Sequence, residues 1–213
     1  GPQSEIAGRT WGYRYVILAV VVHEDVPTQG ALAARLKRSG WKVVSIDPPG
    51  VRAHPDATVR MHGEIWEGEI WMRLQAQLSE SGLAPTLYVH ALSGFDASET
   101  ERNAGGLGRG TFAFITESAL QGADHVRPLM PRDRGSLVFV ASVLAGWDVR
   151  AGEEAFSASQ AALLGLSRSL ALAAGPTGIR VNAVCMGVVS DPELPDGGVS
   201  PEARERIPLG VPA

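Results

Sequence analysis

Short β-branched runs alternate along this chain with stretches in which apolar residues return every three or four positions. Tyr15 to Val22 is a run of the first kind; a helical pattern follows over about Thr28 to Arg38, stops at Gly40 and leads into a second strand, Lys42 to Ile46. Residues 57–61 read as a third strand, Gly63 to Ser81 has helical spacing through Ile65, Ile70, Leu74 and Leu78, and Leu83 to His90 returns to strand character. A Gly-rich polar stretch, Ser93 to Gly110, precedes a helix over about Thr111 to Met130 and the strand Ser136 to Ala141. The cycle closes with a helix over about Glu154 to Ala174 and the strand Arg180 to Cys185. Strands that alternate with helices, several of them apolar on both faces, predict an α/β, Rossmann-like doubly wound parallel sheet of about six strands in a three-layer αβα arrangement. The Pro- and Gly-rich tail from Val188 to Ala213 predicts loops and one short helix near Pro201 to Ile207.

Composition narrows the function classes. A length of 213 residues with 45% hydrophobic content suits one domain, over residues 3–213, with no linker or internal repeat. Gly1-Pro2 resembles the scar of a tag-removing protease. A net charge of -4 without a basic run offers no footprint for nucleic acid or an anionic membrane. The longest apolar run, Val16 to Val22, falls far below the roughly 20 residues of a membrane helix, so a cytoplasmic location is expected. Cys185 is the only cysteine and lies in an apolar strand, which favours a packed thiol over a nucleophile.

Three segments carry a specific signal: "GSLVFVAS" from Gly135, "FSASQAALLGLSRSLA" from Phe156 and "GPTGIRVNAVCMG" ending at Gly187. Together they resemble the classical short-chain dehydrogenase/reductase family, particularly its 3-oxoacyl reductases, and the resemblance extends more weakly over nearly the whole chain. It implies Tyr-x-x-x-Lys on one helical face, the tyrosine giving a proton to the substrate carbonyl and the lysine lowering the phenol pKa and holding the nicotinamide ribose. Phe156 and Gln160 occupy those positions. Tyrosines occur only at 13, 15 and 88 and lysines only at 37 and 42, so no such pair exists in the second half. The family's serine falls at Val143, one place after Ser142, and its helix asparagine has no counterpart between 104 and 181.

The cofactor end departs separately. The resemblance implies a glycine turn after the first strand, where bare backbone lets a pyrophosphate approach a helix N-terminus. The corresponding positions read "VHEDVPTQ", with His23, Pro27 and Gln29 in place of the three glycines, and Glu24 and Asp25 adding negative charge. His62 stands for the acid that would contact adenine, "HALS" for the motif after the fourth strand, and Asp47 where a ribose-binding acid could be. No NAD(P) and no metal are therefore expected. His23, His62 and His90 all fall near carboxyl ends of strands, where open α/β sheets bind ligands, and His23 and His90 are the only acid/base candidates for a new site. In the family's strand order these two lie on neighbouring strands about 5 Å apart, with His62 roughly 10 Å from His23.

Two functions follow. One is a noncatalytic subunit or domain that associates with an active short-chain reductase acting on an acyl or polyketide-like substrate, or forms a homo-oligomer, through the helices at 111–130 and 154–174. The second helix keeps Ala158, Ala161, Ala162 and Gly165 beside Leu163, Leu166 and Leu170. The other is a repurposed enzyme carrying out a cofactor-independent isomerisation, cyclisation or dehydration in the old cleft. Relative to the family the chain reads as short at its C-terminal end.

Overall fold

The computed structural model describes residues 18–23, 27–47, 57–92, 109–148, 152–189, 199 and 201–205. Among these, strands β1 (Leu18–His23), β2 (Lys42–Asp47), β3 (Val59–His62), β4 (Leu87–Ala91), β5 (Ser136–Ser142) and β6 (Arg180–Met186) form one six-stranded sheet. Its order is β3-β2-β1-β4-β5-β6, and every pairing is parallel. The helices are α1 (Pro27–Arg38), α2 (Gly68–Ser81), α3 (Arg109–Val126), α4 (Glu154–Ala174) and α5 (Pro201–Glu205).

The sheet is apolar on both sides because both sides are covered. Val20, Val22, Val44, Ile46, Leu137 and Phe139 pack with Trp71, Leu74, Ile115 and Leu163 from α2, α3 and α4. On the opposite face Ala19, Val21, Val43, Val89 and Ala91 pack with Ala33 of α1. Strand β1 buries Ala19 through Val22 without exception, which is why its run shows no polar alternation. At the far end of the sheet β6 alternates instead, exposing Asn182, Val184 and Met186.

Several boundaries differ from the sequence reading. Helix α2 starts at Gly68, not Gly63, because residues 63–67 form a turn whose Ile65 is still buried. The Trp71 indole N–H donates to the Ile65 carbonyl at 2.9 Å, so the turn continues the helix's apolar stripe. At the other end Gly82 takes a left-handed conformation (φ 62°), and the Leu83 N–H donates to the Leu78 carbonyl. Leu83 thus closes the helix, and β4 begins only at Leu87, beyond Pro85. Helix α3 gives way at Val126 to a 3-10 turn, Arg127–Leu129, where Pro128 lacks a donor. Residues 15–17 of the first expected strand and 206–207 of the last expected helix lie outside the described residues.

Gly122 of α3 is required by its neighbour: a Cβ there would lie 2.7 Å from Tyr88 Cζ and 3.0 Å from the Trp71 ring, both fully buried. Gly122→Ala should therefore destabilise the protein by about 1–3 kcal/mol in spite of alanine's better helix propensity. Denaturant unfolding of the two proteins measures this, and equal midpoints would show that the core yields.

Candidate active site

The end of β5 and the first turns of α4 bring together the positions singled out above. Phe156 and Gln160 lie one helical turn apart on α4, both buried, with Gln160 1% exposed. The backbone N–H of Ser142, the last residue of β5, donates to Gln160 Oε1 at 2.9 Å. The Leu144 N–H donates to Ser142 Oγ at 3.2 Å, and Val143 opens a 3-10 turn through Ala145. Phe156 joins the main core cluster. Gln160 thus uses its carbonyl as a brace on the strand end, while its Nε2 is buried and has no hydrogen-bond partner among the described residues. A buried donor in that condition costs about 1–3 kcal/mol. Neither side chain can give up a proton at neutral pH, so this pair performs no acid–base chemistry.

His90 belongs to a different environment. It is fully buried; its Nδ1 lies 3.0 Å from the Tyr88 hydroxyl and its Nε2 3.5 Å from Ser118 Oγ. The Ser118 hydroxyl donates to the Phe114 carbonyl at 2.6 Å, so toward His90 it can only accept. That fixes the direction of the chain: Tyr88 O–H to Nδ1, Nε2–H to Ser118, Ser118 O–H to a helix carbonyl. Burial holds the imidazole neutral, lowering its pKa to about 3, and raises that of the Tyr88 phenol above its ordinary range.

The other histidines are not gathered around it. Strands β1 and β4 are neighbours, but His90 pairs in register with Val22, and His23 pairs with Ala91. Successive strand positions alternate between faces, so positions 23 and 90 belong to opposite sides of the sheet. His62 pairs with Asp47 on β2. The side chains of His23 and His62 lie outside the described residues. Among the described residues no three His, Cys, Asp or Glu side chains are grouped to hold a metal ion.

At the cofactor end, α1 begins with Pro27, which removes one backbone N–H from the helix terminus a phosphate would approach. Glu24 and Asp25 lie outside the described residues, as do the side chains of Pro27 and Gln29. Asp47 is fully buried and accepts a hydrogen bond from the Ser45 hydroxyl, so its carboxylate is turned to the interior. Gln160 stands where the resemblance implies the ammonium that holds a nicotinamide ribose, and its side chain carries no charge to replace it.

Two features escaped the sequence reading. Trp147, in the turn after β5, is 70% exposed, and its backbone N–H donates to the Val143 carbonyl at 2.9 Å. The outward face of α3 and α4 also differs from expectation. Leu163 is fully buried in the protein's own core, and Leu166 and Leu170 pack partly against it. Ala158, Ala161 and Gly165 do face outward, joined by Leu172 at 83% exposure and by Phe112, Ala113 and Leu120 of α3. A Cβ built on Gly165 meets nothing within 4 Å.

Comparison with known proteins gives these positions a context. The model of the enoyl-(acyl carrier protein) reductase family matches residues 108–211. The oxidoreductase UcpA of Salmonella typhimurium is 41% identical over 64 residues, covering 30% of this chain and 24% of that protein. The 2-(R)-hydroxypropyl-CoM dehydrogenase of Xanthobacter autotrophicus is 25% identical over 199 residues, covering 85% of this chain and 78% of that protein. Among solved structures, a dehydrogenase/reductase from Sinorhizobium meliloti superposes with a TM-score of 0.74 at 22% identity, covering 93% of this chain and 83% of that one. The fold is thus shared over most of the chain, whereas the alignments to UcpA span about a quarter to a third of that protein's length.

The buried imidazole makes stability depend on pH. His90 stays neutral in the folded protein down to about pH 3, whereas in the unfolded chain it takes up a proton near its ordinary value of 6.5. Its contribution is therefore complete above pH 6.5 and falls as the pH drops toward 3, by up to about 1.4 kcal/mol per pH unit. Urea unfolding of wild type and His90→Gln between pH 4 and 7 reads this. The wild type should lose stability more steeply; parallel curves would mean that His90 is solvated.

Proposed function

Because the chain belongs to the short-chain dehydrogenase/reductase family, we propose that it is a noncatalytic member that binds no nicotinamide cofactor. In this reading it acts as a subunit or domain beside a catalytically competent short-chain reductase working on an acyl or polyketide-like substrate. The observation that carries it is the outward face of α3 and α4. Phe112 and Leu120 of α3 and Leu172 of α4 are exposed, as are the small positions Ala158, Ala161 and Gly165 of α4. Small residues let another helix pair approach closely, and the exposed apolar side chains supply the area a stable interface buries. Such an interface should exceed about 1,000 Å² in total. The replaced donors at Phe156 and Gln160 support the noncatalytic half of the proposal.

A second reading keeps the old cleft at work in a cofactor-independent isomerisation, cyclisation or dehydration. Gln160 Nε2, buried and without a hydrogen-bond partner among the described residues, is the observation that favours it, an unsatisfied polar group at the end of β5. Proton transfer would then have to come from groups other than His90, which is enclosed with Tyr88 and Ser118. Turnover by the isolated protein would decide for this reading.

Light scattering on size-exclusion peaks tests the subunit proposal, with wild type and Gly165→Arg each coexpressed with neighbouring reductase genes. The wild type should elute with a partner subunit and Gly165→Arg alone, still folded, since the arginine projects into open space. A monomeric wild type that captures no reductase would move the choice to the second reading. Phe156→Tyr combined with Gln160→Lys should give no NADPH oxidation with a β-ketoacyl thioester, because a proton donor without a bound hydride donor reduces nothing. Measurable oxidation would show that the phosphate turn still accepts the cofactor.

A further inference from the structure

A line of oxidisable rings runs from the surface into the core and ends on a tyrosine with a base beside it. Trp66, 37% exposed, follows Ile65, whose carbonyl accepts the Trp71 indole N–H at 2.9 Å. Trp71 is fully buried and meets the buried Tyr88 edge to face, with ring centroids 6.4 Å apart. The Tyr88 hydroxyl lies 3.0 Å from His90 Nδ1, the nitrogen without a hydrogen, since Nε2 carries it toward Ser118. The buried Phe139 ring lies against both Tyr88 and His90, with centroids 6.3 and 6.0 Å away.

The proton partners of these rings differ, and the difference sets a direction. Loss of one electron makes an indole N–H or a phenol O–H strongly acidic. Trp71 faces only an amide carbonyl, a very weak base, so an oxidised Trp71 keeps its proton and remains a strong oxidant. Tyr88 instead faces an imidazole nitrogen at hydrogen-bond distance, and an oxidised phenol is a far stronger acid than an imidazolium, even where burial keeps His90 neutral at rest. Mutual satisfaction of two buried polar groups accounts for the Tyr88–His90 bond, but not for the rings that lead to it from the surface. We propose that Trp66, Trp71 and Tyr88 form a relay that carries an oxidising equivalent from the surface to Tyr88, with His90 as its proton acceptor. A one-electron oxidant in solution takes an electron from Trp66 and is itself reduced; Trp71 and then Tyr88 refill the vacancy. The Tyr88 O–H bond breaks as an N–H bond forms at His90 Nδ1, leaving a neutral phenoxyl radical beside an imidazolium. One electron from a reductant, with return of that proton, restores the starting pair. The relay needs neither cofactor nor partner, so it stands or falls separately from the association proposed for the outer helix face.

Flash photolysis of the isolated protein with ruthenium tris(bipyridine) and persulfate as the oxidant tests it, since indole and phenoxyl radicals absorb differently. In the wild type an indole signal should decay as a phenoxyl signal grows, and the growth should be slower in heavy water. Tyr88→Phe should leave the indole signal without a phenoxyl product. His90→Gln keeps a hydrogen-bond acceptor but no base, and should slow phenoxyl formation by about 100-fold, the lower end of what a positioned base contributes. Trp66→Phe should lower the phenoxyl yield. If His90→Gln fails to fold, Tyr88→Phe and the isotope effect decide. No phenoxyl in the wild type, or one that persists in Tyr88→Phe and so belongs to Tyr13 or Tyr15, would overturn the proposal. So would phenoxyl formation at the wild-type rate in His90→Gln, or an unchanged yield in Trp66→Phe.

Discussion

A parallel sheet sealed on both faces constrains everything attached to it. Strand β1 has no exposed residue from Ala19 to Val22, so helices must lie over both sides, and α4 must lie along β5 and β6 whatever chemistry its first turns carry. That demand separates fold from activity. Phe156 satisfies it by entering the core, and Gln160 by bracing the backbone at Ser142. Neither side chain carries an acid–base group, and the helix lies where packing requires it.

The same constraint accounts for the fate of the histidines. His90 follows Tyr88 on the face of β4 beneath α3, where Gly122 makes room for the phenol ring, and the hydroxyls of Tyr88 and Ser118 complete its hydrogen bonding. A neutral imidazole with both nitrogens engaged stiffens the core and has no path to a substrate. Its place near a strand end, which made it a candidate from the sequence, did not reveal which face it occupies.

Sequence patterns made the sheet legible because burial on both sides leaves runs such as Val20–Val22 and Leu137–Phe139 uniformly apolar, and because Gly40 and Gly178 mark helix-to-strand turns. The helix at 154–174 was readable to the residue. Errors fell where local chemistry competes with periodicity: Ile65 continues a helical stripe from outside the helix, and Leu83 serves as a cap although it resembles the start of a strand. That the second half of the chain has neither tyrosine nor lysine was legible as an inventory of residue types. That Gln160 Oε1 would find a backbone partner and Nε2 none was not, since spacing along a helix carries no information on amide orientation. The outward face of α4 was only half legible, because Leu163 and Leu172 look alike in sequence and lie on opposite sides of the helix.

If the fold is kept without cofactor chemistry, as proposed, the turn between β1 and α1 is where cofactor binding must fail. Calorimetric titration of the isolated protein with millimolar NADPH, and in parallel NADH, addresses it directly. No saturable heat is the expected result, since Pro27 opens α1 and His23, Pro27 and Gln29 stand where the resemblance implies the three glycines. Saturable binding of either cofactor would contradict it.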